Sequence, residues 1–276
     1  KKSIKINFMQ EKALQKLEEL RLKKEKKALV IAATGSGKTY LSAFDVKKVQ
    51  PKTLLFLVHR ENILLSAKKS FETILGDSFT YGLYTGNKKE EDKNYIFSTI
   101  QTMTNSFSNF SQNHFDYIII DEAHHVTSPS YKKVIEYFKP KFLLGLTATS
   151  NRMDGNSIYE AFDENIACDI RLNDALEHNL VVPFHYFGIS DIQSIDYENI
   201  DLNKIDELAK LLSVNKRADF IIEKMNFYSF FGTKRKAIGF CVSKEHAFFM
   251  SEKFNEKGIN SICLTSEDSI QKREET

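Results

Sequence analysis

The stretch Ala28-Leu-Val-Ile-Ala-Ala-Thr-Gly-Ser-Gly-Lys-Thr39 joins an apolar run to a loop that contains glycine. The apolar run is unbroken and rich in branched side chains, a pattern typical of a parallel strand that is buried on both faces. Gly35 and Gly37 have no Cβ, so the loop backbone can turn its N–H groups toward a ligand. A helix is predicted to begin at Lys38, and a helix N-terminus favours an anion. The stretch therefore predicts a site for phosphate groups.

The side chains of the loop indicate which phosphates bind there. Lys38 can reach the β- and γ-phosphates as a point charge, and the Thr39 hydroxyl can ligate Mg²⁺. The common pattern G-x-x-x-x-G-K-[ST] begins with glycine, where this chain has Ala32. A plain turn between a strand and a helix is the alternative interpretation. We predict a cradle for ATP and Mg²⁺ made by Thr34, Gly35, Ser36, Gly37, Lys38 and Thr39.

Further apolar runs end in polar residues and alternate with helical patterns, and a helical stripe over 8–22 precedes the first strand. The runs are Leu54–Val58, Tyr95–Phe97, Phe115–Ile120 and Phe142–Leu146. This alternation predicts an α/β fold with a doubly wound parallel sheet, whose ligands lie at the carboxyl ends of the strands.

The α/β pattern begins again in the second part of the chain. Strands are predicted at 184–187, at 237–242 and near Ile262, between helices at 203–213, at 215–230 and up to residue 257. We therefore predict a first domain over 1–182, and a linker with an incomplete second domain over 183–276.

Two carboxylates follow the strand that ends at Ile120. Asp121, with Thr39 and phosphate oxygens, suits the octahedral oxygen shell of Mg²⁺. Glu122 lies one residue further on and is a natural base for an attacking water. An ordinary acidic strand end is the alternative, but the phosphate loop favours the functional interpretation. No other His or Cys residue has a spacing to His124 and His125 that favours metal ligation. We therefore predict that polar contacts of these histidines couple the nucleotide site to neighbouring strands.

Composition indicates only a broad class of protein. The chain is 42% apolar and 28% charged, as in ordinary globular proteins, and its net charge of +2 does not decide whether a polyanion binds. Its three cysteines lack zinc or disulfide spacing, which predicts a reducing, cytoplasmic setting. No apolar run is long enough for a membrane span. The chain begins without Met, which suggests a fragment.

Several of these motifs, taken together, resemble those of a known family. ATGSGKT (33–39), DEAH (121–124), HRENIL (59–64), STIQT (98–102) and TAT (147–149) followed by Asn151-Arg-Met-Asp-Gly155 are similar to the first motor domain of superfamily 2 helicases and translocases. The chain looks most like the type III restriction-subunit (Res) type of DEAD/DEAH enzyme. The resemblance implies a RecA-like domain of the P-loop NTPase class, with the start of a second RecA-like domain.

The resemblance also implies roles for single residues. Gln10 is similar to the glutamine that reads adenine, although Asn7 and Met9 stand where Arg and Tyr often precede it. His124, Thr147 and Thr149 match the elements that couple the ATP state to the grip on the strand. The nucleic-acid backbone would be contacted by Arg60, Thr99, Gln101 and Ser243. For these four residues, helix caps and turns are the alternative interpretation.

The activity implied is that of an ATP-dependent helicase or translocase acting on DNA, with duplex DNA favoured, in restriction or phage defence. Further subunits or a C-terminal nuclease domain are expected partners. An RNA-directed DExH ATPase and a nucleotide-gated clamp without translocation are the alternatives. Because the chain ends before the motifs that supply an arginine finger in such motors, we expect it to bind nucleotide but to hydrolyse it slowly.

Overall fold

The computed structural model describes residues 4–149, 158–192, 201, 203–228, 235–269 and 272–273. The chain divides into two compact units, Lys1–Phe184 and His185–Thr276. Residues 151–155, which the sequence places after the TAT motif, lie outside the described residues. The assignment of 1–182 and 183–276 to two motor domains stays a prediction.

The first unit contains one seven-stranded sheet. Its strands are β1 (Lys27–Ala32), β2 (Leu54–Val58), β3 (Tyr81–Tyr84), β4 (Tyr95–Thr99), β5 (Tyr117–Asp121), β6 (Phe142–Thr147) and β7 (Ile166–Ile170). Their order is β3-β4-β2-β5-β6-β1-β7, and every pairing is parallel. The parallel sheet predicted from the sequence is confirmed.

Helices connect the strands of the first unit and make up most of the regular structure of the second. They are α1 (Phe8–Leu22), α2 (Lys38–Val49), α3 (Glu61–Leu75), α4 (Ile100–Ser106), α5 (Pro129–Tyr137), α6 (Ile158–Ala161), α7 (Leu172–Glu177), α8 (Ile205–Leu212), α9 (Asn215–Phe227) and α10 (Lys244–Glu256). None of these described helices is both long enough and apolar enough to pass through a membrane.

The sheet is buried on both faces, as the unbroken apolar runs predict. In β1, Ala28 and Val30 pack into one core together with side chains of α1, α2 and α3. Leu29 and Ile31 point to the other face and pack with side chains of α4 and α5. This two-sided burial fixes the strand ends, which position the polar loops described below.

Two strands, β3 and β7, were not predicted, and both lie at the edges of the sheet. Edge strands bury less of their surface, so their apolar patterns are weaker. β3 is short and contains Gly82, and β7 carries the exposed Asp169. After β7, helix α7 stops at Glu177, and residues 178–192 are not helical.

The strands predicted at 184–187, at 237–242 and near Ile262 are wrong for the described structure of the second unit. These segments are not paired in any sheet, and Ile238 and Phe240 are 85% and 95% exposed. An apolar run becomes a strand only where a neighbouring strand completes its hydrogen bonds, and no described residue of this unit belongs to one. The predicted helices are present as α8, α9 and α10.

A buried ion pair links α1 to α2 on one face of the sheet. Arg21 binds Asp45 in a bidentate fashion, and the Tyr117 hydroxyl donates to Asp45 at 2.5 Å. Burial and the charge of Asp45 raise the pKa of Tyr117, against the opposing effect of Arg21. Asp45 is fully buried. The carboxylate therefore depends on these two partners for its solvation.

We expect Arg21→Met to lower the free energy of unfolding by about 3–5 kcal/mol, because it leaves the buried Asp45 charge without its cation. The Arg21 guanidinium also lies over the Phe142 ring, 4.3 Å from its centroid, and Met replaces this cation–π contact with an apolar one. Glu18→Gln is the matched control, since Glu18 pairs with Lys48 across the same two helices but at the surface. The control should cost about 0–1 kcal/mol in urea unfolding. Equal losses in both variants would contradict this account.

Gly145 lets β6 pass against a packed ring. A Cβ at this position would lie 2.3 Å from Cζ of Phe162, which is fully buried. We expect Gly145→Ala to lower the free energy of unfolding by about 1–3 kcal/mol through overpacking. Phe162→Leu in the same chain should restore part of that loss, and additive losses in the double variant would argue against the contact.

Candidate functional site

The phosphate loop, Asp121 and Thr147 lie at the carboxyl ends of three neighbouring strands. β6 pairs with β1 on one side and with β5 on the other. In this register Ile31 is opposite Thr147, and Asp121 is opposite Leu146. Residues that are far apart in the sequence therefore meet at one edge of the sheet, as expected for a ligand site in a parallel sheet.

The loop between β1 and α2 has a backbone that requires glycine. Gly35 and Gly37 have φ angles of 83° and 90°, in the left-handed region. A Cβ on Gly37 would lie only 2.7 Å from Nε2 of Gln10. The Ser36 hydroxyl donates to the Ala33 carbonyl at 2.6 Å and is buried. Thr34 is exposed at the mouth of the loop.

The N-terminus of α1 packs against this loop through two amide side chains. Asn7 and Gln10 form a capping box, with each side chain accepting from the backbone N–H of the other. Asn7 also donates to the Ser36 carbonyl at 3.1 Å, and Gln10 donates to the Gly37 carbonyl at 3.0 Å. Gln10 thus supports the loop, and adenine reading by Gln10 stays a prediction. Asn7 was missed as a loop contact, although the spacing N-x-x-Q signals the capping box.

Lys38 lies in the first turn of α2 with its ammonium group turned to the loop. It donates to the carbonyls of Ala32 at 2.8 Å and Ala33 at 3.3 Å. Burial lowers the pKa of Lys38, while the charges of Glu122 and Asp121 act in the opposite direction. The ammonium group therefore lies within the field of both carboxylates, and a phosphate could replace the carbonyls as its acceptor.

Asp121 and Glu122 differ in environment although they are adjacent. Asp121 is 8% exposed, and its carboxylate accepts the Glu122 backbone N–H at 3.0 Å. Burial and the charge of Glu122 raise the pKa of Asp121, opposed by that hydrogen bond and by Lys38. Glu122 is more accessible and has a φ of 53°. A left-handed backbone in a residue other than glycine is strained, and such strain is concentrated at functional sites.

His124 connects Glu122 to the end of β6. Its Nδ1 lies 3.2 Å from Oε2 of Glu122 and 3.2 Å from Oγ1 of Thr147. Thr147 is fully buried and donates to the Thr149 carbonyl at 2.8 Å. The three residues predicted to couple the site to its surroundings, His124, Thr147 and Thr149, are therefore joined by direct contacts.

The residues present fit a nucleoside triphosphate with a divalent cation. The glycine at position 37 lets the Gln10 amide approach and hold the loop, Lys38 supplies the cation, and Thr39 and Asp121 offer the hard oxygen ligands that Mg²⁺ prefers. In the described residues, no group of three or more His, Cys, Asp or Glu side chains could by itself hold a metal ion. A cavity of about 460 Å³ beside the loop is lined by Ile31, Ala33, Thr34, Ala148, Thr149, Arg171 and Leu172.

The predicted nucleic-acid residues fall into two groups. Arg60 and Gln101 are exposed, after β2 and in the first turn of α4. Thr99 is nearly buried, and its hydroxyl caps α4 by accepting the Thr102 N–H. Ser243, in the second unit, caps α10 in the same way through the His246 N–H at 3.2 Å. For Thr99 and Ser243 the structure therefore shows the capping role.

Comparison with known proteins places the first unit in a described family. The family model "Type III restriction enzyme, res subunit" matches residues 3–152, more than half of the 276 residues. The Schizosaccharomyces pombe protein named "Putative mitochondrial ATP-dependent helicase irc3" is 26% identical over 91% of this chain and 43% of its own length. The DNA 3'-5' translocase XPB2 of Sulfurisphaera tokodaii is 29% identical over 48% of this chain and 29% of its own length.

A solved structure shares the fold. The fragment of a "putative HsdR subunit of a type I restriction enzyme" from Vibrio vulnificus YJ016 has a TM-score of 0.61, with 23% identity over 91% of this chain and 45% of that one. The chain spans less than half of the length of the irc3 protein and of this fragment. Its RecA-like sheet, its phosphate loop and the family match agree: the chain belongs to the superfamily 2 helicases, in the family of the type III restriction enzyme res subunit.

Proposed function

We propose that this chain is the ATP-driven motor part of a DEAH-type helicase or translocase that moves on DNA, preferably duplex DNA. The observation that carries the proposal is the contact set around His124, which joins Glu122 and Thr147 at 3.2 Å each beside the phosphate loop. A site that only binds nucleotide needs no contact between its general base, Glu122, and the end of the neighbouring strand. A motor needs such a link, because each hydrolysis event must change the grip on its track.

The residues of the site have distinct tasks in this proposal. Lys38 and the loop N–H groups bind the phosphates, and Thr39 and Asp121 hold Mg²⁺, which supplies charge neutralisation on the phosphate oxygens when bound. Glu122 orients the attacking water and accepts its proton. Gln10 supports the loop from α1 and reads adenine.

We propose contacts to nucleic acid at the carboxyl ends of β2 and β4, which lie on one side of β5 in the sheet. Arg60, Thr99 and Gln101 bind the phosphate backbone there, and the Thr99 hydroxyl also caps the helix that carries Gln101. In the second unit, Ser243 at the start of α10 is a further proposed backbone contact. The relative named a DNA translocase and the restriction-enzyme family support DNA as the track.

We further propose a role in restriction or phage defence, with further subunits or a nuclease domain as partners. From the spacing of the cysteines in the sequence, we also propose a reducing, cytoplasmic setting.

The test is the ATPase rate of the intact protein with duplex DNA, single-stranded DNA, RNA or no polymer. We expect the largest stimulation from duplex DNA, and a steep fall of that stimulation with salt because backbone contacts release counterions. Stimulation by RNA alone would favour an RNA-directed ATPase instead. Nucleotide binding without stimulation by any polymer would overturn the motor proposal. Slow turnover by the 276-residue chain itself stays the expectation from its sequence.

A further inference from the structure

Two histidines form a contact between the ends of two adjacent strands. The rings of His59 and His125 stack with their centroids 5.0 Å apart and their planes at 29°. His59 follows β2 directly and precedes Arg60, whereas His125 ends the short turn Ala123–His125 after β5. Because β2 and β5 pair in the sheet, the stacked rings connect the strand end of Arg60 with the strand end of Glu122.

The contact continues from His125 to the nucleotide site. The ring of His125 lies 4.1 Å from that of His124, which contacts both Glu122 and Thr147. His125 also faces Tyr131, with ring centroids 6.4 Å apart and planes at 21°. Tyr131 is 1% exposed and belongs to the second core, so it is a fixed neighbour. His125 is therefore in ring contact with His59, with His124 and with the core.

This arrangement gives a physical route for coupling. Arg60 is exposed to a phosphate from solvent and follows His59 directly in the chain. Packed side chains resist continuous deformation, so a small shift at one end changes the contacts at the other. At the far end lies Glu122, which has a φ of 53° and whose carboxylate contacts His124 at 3.2 Å.

We propose that His59 and His125 are positioning residues that link nucleic-acid contact at the end of β2 to the state of Glu122 and the bound nucleotide. This inference rests on the proposed function and names how its two ligands affect each other. Neither ring touches the reacting atoms in this account. Their task is to transmit a displacement through ring contacts.

The test measures thermodynamic coupling and needs no hydrolysis. The affinity for a labelled duplex DNA is measured by fluorescence anisotropy, with and without Mg²⁺ and a non-hydrolysable ATP analogue. In the unaltered protein we expect the analogue to change DNA affinity by at least about 5-fold, the lower end for coupled sites. His59→Ala and His125→Ala should each reduce this ratio to less than about 2-fold, and the double variant should lose no more than either single one.

Two sets of variants distinguish a loss of coupling between the two ligands from a loss of folding. His59→Phe and His125→Phe keep a flat ring and should restore most of the ratio. His114→Ala is the matched control, because His114 makes edge-to-face ring contacts with Phe110 and Phe115 before the opposite end of β5. The control should keep the full ratio, and thermal unfolding shows whether each variant is folded.

The outcomes distinguish this inference from the proposed function. If the unaltered protein shows the coupling and the alanine variants keep it, the histidine link is wrong while the motor proposal stands. If the unaltered protein binds both ligands without coupling, the link is again overturned. If it binds no DNA at all, the proposed function fails first and this inference fails with it.

Discussion

Lys38→Ala is expected to abolish ATP hydrolysis and to weaken nucleotide binding by about 10- to 100-fold, since a hydrogen bond to a charged group is worth about 1.5–3 kcal/mol. Lys38 is the cation of the phosphate loop, and it already lies within the field of Asp121 and Glu122. Without it, the two carboxylates repel the phosphates they are meant to face. Titration with a fluorescent ATP analogue and a phosphate-release assay measure both effects.

Lys47→Ala is the matched control for that change, because Lys47 lies in the last turn of the same helix and is exposed. The control removes one positive charge from α2 without touching the loop. It should leave nucleotide affinity and hydrolysis within about 2-fold of the unaltered protein, as surface substitutions usually do. Retention of tight nucleotide binding by Lys38→Ala would show that the loop does not hold phosphates as proposed.

Glu122→Gln is expected to separate binding from chemistry. The change keeps the size of the side chain but removes the base, and removal of a general base costs about 10²–10⁴ in rate. Because Glu122 is adjacent to Asp121 but more accessible, phosphate and Mg²⁺ contacts should survive. Nucleotide affinity should therefore stay within about 3-fold while polymer-stimulated hydrolysis is lost, a pattern that marks an interaction made only in the transition state.

Glu136→Gln provides the matched control for charge, since Glu136 is exposed on α5. We expect it to hydrolyse ATP like the unaltered protein. Undiminished hydrolysis by Glu122→Gln would assign the base to another side chain. A parallel loss of nucleotide affinity would instead indicate that Glu122 holds the loop together through Lys38 rather than acting on water.

Much of the nucleotide site was accessible from the sequence because its signals are local. The apolar run of β1, the two glycines and Lys38 with Thr39 are contiguous, and each has a direct physical meaning for backbone or charge. Asp121 was found in the same way, as a carboxylate at the end of a buried strand. The central strands were predicted because full burial leaves an unbroken apolar run, whereas the edge strands β3 and β7 lack that signal.

The second unit shows where local patterns are insufficient. Residues 237–242 have the apolar pattern of a buried strand, yet Phe240 is 95% exposed and the segment is unpaired. Periodicity reports what a segment could bury, but hydrogen bonds to a neighbour decide whether it becomes a strand. Helices α8, α9 and α10 were predicted more closely, because a helix satisfies its own backbone.

The sequence by itself determined the α/β alternation and the candidate chemistry, a phosphate loop and a carboxylate pair, because each of these signals comes from residues close together along the chain. Only the tertiary structure decided which of these meet. It placed Asn7 and Gln10 against the loop, joined Glu122 to Thr147 through His124, and stacked His59 on His125. The physical reason is strand order, since contacts between strand ends depend on which strands are neighbours, and that order is set by packing both faces of the sheet.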